Sequence, residues 1–116
     1  MRIEVLDNAD MAAQRAASFI AGEARKAVAL RGCFILAVSG GKTPWKMLRE
    51  LAAEDVPWEE MHILQVDERI APEGHADRNM THLHNSLIGH CPILPERIHA
   101  MQVEENQPYL VEKLWP

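Results

Sequence analysis

Cys33-Phe34-Ile35-Leu36-Ala37-Val38-Ser39-Gly40-Gly41-Lys42-Thr43-Pro44 is the stretch that decides the fold. Its first six residues are apolar without alternation, as in a strand buried on both faces of a parallel sheet. The strand runs directly into two glycines. Thr43 then offers an N-cap, and Pro44 suits the first position of a helix. A glycine turn between a strand and a helix start is a ready anion site. The backbone can come close, free amides point outward, and the helix dipole favours negative charge. Lys42 adds a cation, while Ser39 and Thr43 add hydroxyl donors. The same turn also works as a tight connection with no ligand, and taken alone it does not choose between the two.

The Gly41-Lys42-Thr43 triplet invites comparison with the nucleotide loop GxxxxGK[ST]. That pattern needs a glycine where Leu36 stands, inside the strand, so the nucleotide reading fails. Upstream, Arg2 to Leu6 alternate as a short first strand would. Asp7 or Asn8 can then cap a long alanine-rich helix reaching Leu30. Its apolar face is Ala13, Ala16, Ala17, Ile20, Ala24, Ala27 and Val28, and Gly32 stands where a left-handed cap belongs.

Downstream, a second helix runs to about Ala53, with Trp45, Leu48 and Ala52 on one side. His62 to Val66 read as the next strand, ending at Asp67-Glu68-Arg69. A third helix is expected from about Asn79 to Ile88, with Met80, Leu83 and Leu87 inward, and a fourth strand from Arg97 to Met101. Pro108 to Pro116 read as the start of a further helix. The order implies an α/β domain with a three-layer, Rossmann-like parallel sheet joined by right-handed crossovers. Ligands in such sheets bind outside the carboxyl ends of the strands, where both the Ser39–Thr43 loop and the Asp67–Arg69 triplet fall.

Bulk properties narrow the function. The 116 residues make a single domain, 47% hydrophobic and 25% charged, which argues against disorder. The formal charge of −5 argues against nonspecific nucleic-acid binding, though not against a small anion held by local donors. No apolar run suits a bilayer, and MRIEVLDNAD at the N-terminus lacks the apolar region of a signal peptide. Cys33 and Cys91 read as reduced thiols of a cytoplasmic protein. His75, His82 and His84 lie close in sequence, yet there is no CxxC or HExxH, so neither a metal nor a cofactor is expected. Trp45, Trp58 and Trp115 read as packing residues.

Two features together are far more specific than either alone. Val38-Ser39-Gly40-Gly41-Lys42-Thr43-Pro44 resembles the SGGxTP loop of 6-phosphogluconolactonases. Trp58 and Val66-Asp67-Glu68-Arg69 resemble that family's following W…vDER segment. Asn79 matches the asparagine of a serine-asparagine pair, and Pro92 to His99 resemble the family's next loop and strand. The resemblance spans nearly the whole chain. It implies metal-independent hydrolysis of 6-phosphogluconolactone in the pentose phosphate pathway, with a sugar phosphate as partner. It also implies a phosphate cradle of Ser39, Gly40, Gly41, Lys42 and Thr43, with Asp67 and Arg69 as catalytic residues and Glu68 and Asn79 as further substrate contacts.

Related glucosamine-6-phosphate deaminases use an aspartate matching Asp67 as a base, but their triplet usually ends in tyrosine, so Arg69 favours the lactonase side. Arg78 and Met80 depart from the family's pattern of serine before, and an aromatic after, the asparagine. The family's GxxGHTASLFP-like segment, which carries the general-base histidine, has no counterpart here, and His75 is the one substitute the sequence suggests. The resemblance therefore describes the N-terminal part of such a domain, ending after about four strands. A non-catalytic or vestigial sugar-phosphate binder and a deaminase-like isomerase are the alternatives. An incomplete sheet implies exposed apolar surface, and with it a homo-oligomer or association with a missing second half.

Overall fold

The computed structural model describes residues 3–103. Three parallel strands, β1 (Phe34–Val38), β2 (Met61–Gln65) and β3 (Ile98–His99), lie in the order β1-β2-β3. Phe34 pairs with Met61, Val38 with Gln65, and Ile63 with Ile98. Three helices accompany them: α1 (Ala9–Arg31), α2 (Lys42–Ala52) and α3 (Asn79–Ser86). The crossovers through α2 and α3 both step the sheet in one direction. Right-handed connections of that kind put both helices on one face.

Both ends of α1 form as the sequence implies. The Asn8 side chain accepts from the Met11 amide at 2.9 Å, and Gly32 adopts φ 84°, donating its N–H to the Val28 carbonyl. The helix buries Ala13, Ala17, Ala21, Ala24 and Ala27, while Ala16, expected on the inner face, points outward. These small side chains let α1 lie close along α2, and an ion pair between Asp10 and Lys46 joins the two helices. Ala17, Ala21 and Ala24 share one core with Leu48, Leu51, Leu83, Leu87, Met61 and Ile63, so all three helices pack on a single sheet face. The alternate strand residues point the other way, and Ile35 is 59% exposed. The described residues thus supply two layers of the expected three.

Several sequence expectations are corrected. Residues 3–6 form no strand: Ile3 and Val5 are exposed, and Glu4 instead pairs with Arg15 of α1. An alternating pattern without a neighbouring strand has no ladder to join. Among the described residues there are therefore three strands, not four. The last of them holds two residues, because a tight turn at Pro95–Arg97 feeds it and the Met101 amide donates to the Gln65 side chain. α2 begins at Lys42 with Gly41 in the cap position, so Thr43 is inside the helix rather than capping it. α3 stops at Ser86, and Ile88–His90 turn separately. Cys33 and Cys91 are free thiols. No described helix is long and apolar enough to cross a membrane. The segment from Pro108 to Pro116 lies outside the described residues.

The alanine stripe gives a direct test of this packing. Ala21→Leu should cost about 1–3 kcal/mol by overfilling the α1–α2 contact. Ala29→Leu, on the exposed side of the same helix, should stay within about 0.5 kcal/mol of the parent. Urea denaturation of the two variants checks both values.

Candidate functional site

The carboxyl ends of β1 and β2 open into a cavity of about 330 Å³, lined among others by Ser39, Gly40, Gly41, Asp67, Arg69 and Asn79. Three chain segments meet there: the turn into α2, the end of β2 and the first residue of α3. The strand pairing reaches one step past β2, where the Val66 amide donates to the Val38 carbonyl at 2.8 Å. That bond holds the two strand ends side by side, with the Ser39 turn beside Asp67.

The turn itself depends on its glycines. Gly41 adopts φ 125°, a conformation that side chains strain against, and no side chain caps α2. A Cβ on Gly40 would lie 2.3 Å from Asn79 Oδ1 and 2.7 Å from its Cγ. Gly40 is therefore glycine so that the turn can meet α3. Asn79 in turn donates through Nδ2 to the Asp67 carbonyl and to Asp67 Oδ1, both at 3.3 Å.

Asp67, Glu68 and Arg69 differ in their surroundings. The three follow the last strand residue, Gln65, with Asp67 and Arg69 lining the cavity and Glu68 turned in against the start of α3. The Glu68 side chain is fully buried. It accepts from the backbone amides of Asn79 (2.6 Å), Met80 (2.9 Å) and Arg69 (2.7 Å), and from Gln65 Nε2 at 2.9 Å. Arg78 Nε stands 3.2 Å away as a buried ion-pair partner, while Arg78 also donates to the Ala71 carbonyl. Burial opposes ionisation of Glu68. The donors from Gln65, Arg69, Met80 and Asn79 outweigh it and hold the carboxyl at about 2, well below its usual 4.5. Its oxygens are committed to the start of α3.

Two further expectations shift. Lys42 and Thr43 follow the turn but are not among the cavity-lining residues, so of the five expected together only Ser39, Gly40 and Gly41 reach the cavity. His75 is not on the cavity either. Its Nδ1 accepts from the Asp77 amide at 3.0 Å, within its own loop. The cavity wall instead includes Trp45 and His82, which the sequence reading had not assigned to the site. Their rings stack with centroids 4.0 Å apart and planes 19° from parallel. Helical spacing was the available signal: Trp45 follows Gly41 by four residues, and His82 follows Asn79 by three.

This arrangement can be set beside known proteins. Residues 7–113 match the family of glucosamine-6-phosphate isomerases/6-phosphogluconolactonase. The chain belongs to this family. A 6-phosphogluconolactonase of Nostoc sp. is 30% identical over 106 residues, covering 91% of this chain and 44% of that protein. A 6-phosphogluconolactonase of Pseudomonas aeruginosa is 38% identical over 77 residues, covering 66% of this chain and 32% of that protein. A crystal structure of 6-phosphogluconolactonase from Thermotoga maritima superposes with a TM-score of 0.84 at 20% identity, covering 95% of this chain and 50% of the other. A monomeric glucosamine-6-phosphate deaminase shares the fold with a TM-score of 0.78 at 16% identity, covering 98% of this chain and 51% of the other. The chain thus spans about half the length of the relatives it matches.

The Glu68 cluster predicts how stability depends on pH. A depressed carboxyl pKa contributes stability that is present above the unfolded value and lost as pH falls through the folded one. Stability from this group should therefore hold down to about pH 4.5 and decline between there and about pH 2. Urea midpoints across that range should show the decline in the parent and a flatter response in Glu68→Gln. At neutral pH, Glu68→Ala should cost about 3–5 kcal/mol, because it breaks a buried ion pair and removes the acceptor of the Asn79 and Met80 amides.

Proposed function

We propose that the chain is a cytoplasmic 6-phosphogluconolactonase-type protein of the pentose phosphate pathway, whose cavity binds the sugar acid through its phosphate. The observation that carries this reading is the facing of the uncapped Ser39–Gly41 turn by Asp67, Arg69 and Asn79 across one cavity. Backbone amides at the start of α2 suit a phosphate, and a guanidinium gives it paired, charge-assisted hydrogen bonds. Relatives at 30% and 38% identity are named 6-phosphogluconolactonase, which favours the lactone over an amino sugar.

Hydrolysis of the lactone adds water across the ring ester. The water oxygen bonds to the carbonyl carbon, the bond from that carbon to the ring oxygen breaks, and the ring oxygen takes a proton. The resulting acid ionises. In this reading Asp67 accepts the proton from water, held in place by Asn79, and Arg69 neutralises the phosphate or the developing oxyanion. Ser39, Gly40 and Gly41 form the cradle. A second reading is binding without turnover, in which the same turn and Arg69 hold the sugar acid and Asp67 transfers no proton.

Calorimetry with 6-phosphogluconate, the reaction product, tests the shared core of both readings without background from spontaneous lactone hydrolysis. The parent should bind saturably. Arg69→Ala and Gly40→Ala should each weaken binding by about tenfold or more, the first through a lost charged hydrogen bond and the second by displacing Asn79. A folded chain that binds nothing overturns the proposal. Turnover of the lactone above the spontaneous rate then separates the enzyme from the binder.

The open sheet face supports a further part of the proposal. With Ile35 59% and Val66 57% exposed, the chain associates with a second copy or with a polypeptide supplying the remaining half. Sedimentation velocity of the chain alone should show species larger than a monomer. A monomer at all concentrations would leave only the second of these partners.

A further inference from the structure

We infer that His82 sets the specificity of the cavity, its Nδ1 accepting a hydrogen bond from a hydroxyl of the bound sugar acid. The inference rests on the sugar-phosphate reading above and adds a residue to it. His82 Nε2 lies 2.6 Å from the Ala76 carbonyl. A carbonyl oxygen only accepts, so Nε2 carries the proton, and in the neutral ring the lone pair is on Nδ1. Among the described residues Nδ1 makes no hydrogen bond. Trp45 stacks on the ring and fixes its plane, while α3 presents His82 one turn from Asn79, so two consecutive turns of that helix reach the same cavity.

The donor and acceptor pattern of the wall decides what Nδ1 can meet. An ionised phosphate oxygen brings only lone pairs and would face another lone pair. A hydroxyl brings a proton and complements it. Arg69 can only donate, and Asn79 Nδ2 is already given to Asp67, whereas Nδ1 is a neutral acceptor that suits a hydroxyl of a polyol. His82 therefore reads the sugar, and the Ser39–Gly41 turn reads the phosphate.

Calorimetry of the full chain with 6-phosphogluconate and with inorganic phosphate tests this, using His82→Asn and His82→Gln. The two substitutions separate the ring nitrogens. Asparagine puts its amide close to the place of Nδ1 and does not reach Ala76, whereas glutamine reaches the place of Nε2 and keeps the donation to the Ala76 carbonyl. Both variants should bind inorganic phosphate as the parent does. Affinity for 6-phosphogluconate should fall about tenfold in His82→Gln and stay within about threefold of the parent in His82→Asn. Full affinity in His82→Gln overturns the inference. So does a loss in His82→Asn equal to or greater than that in His82→Gln, since the ring would then act by holding the Ala76 loop. Failure of the parent itself to bind 6-phosphogluconate is a separate result that removes the underlying sugar-phosphate reading and the inference with it.

Discussion

One buried carboxylate organises this half of the fold. Glu68 stands at the end of β2, away from solvent, and takes the first two amides of α3 together with the Arg78 guanidinium. A helix start normally draws its cap from the residue just before it. Here Arg78 occupies that place and its side chain offers no acceptor, so the acceptor comes from eleven residues earlier in the chain. The consequence is geometric: α3 cannot begin anywhere but against the strand end. Gln65 extends the same network outward, donating to Glu68 through its nitrogen and accepting the Met101 amide through its oxygen. The strand, the helix and the chain beyond β3 are thus joined through two side chains of β2 and its exit.

The site inherits its order from this arrangement. Asn79 is the first residue of α3, so fixing the helix start also fixes Asn79 against Asp67. Close approach then requires glycine at position 40, because any side chain there would occupy the place of the Asn79 amide. A residue with no contact to the cavity, Glu68, therefore governs the spacing of three that line it. This accounts for a buried ion pair in a small domain. Such pairs contribute little net stability against apolar replacements, but removing one partner is costly, so they suit a junction that must have one geometry.

Much of this was legible in the sequence, and the parts that were not share a cause. The unbroken apolar run at Phe34–Val38 and the two glycines after it defined the strand and the turn, since each is a local preference of the backbone. The sheet edge on which Asp67 and Arg69 meet the turn followed from strand order alone. Glu68 was grouped with its neighbours because the triplet was read as a unit, whereas its contacts depend on where α3 begins, which a strand end does not show by itself. Arg78 looked like a departure from a serine, and its purpose appears only once the carboxylate it meets is known to be buried. Residues 3–6 and the short β3 failed for another reason: strand formation depends on partners, and alternation in a single chain does not say whether a neighbour is present.

The bare face of the sheet follows from the same rules as the covered one. Stepping from β1 to β2 to β3 in one direction commits every right-handed crossover to one side. Helices reach the opposite side only when the chain returns past β1 and continues the sheet the other way. The described residues contain no such return, so Ile35, Leu64 and Val66 remain open while Met61 and Ile63 behind them are fully covered. The cavity, by contrast, is bounded by the turn, the strand ends and α3, all of which lie within this half of the fold. Cover for the sheet and construction of the cavity wall are therefore separable. The described residues do not supply the first, and the second rests on Glu68 holding α3 in place.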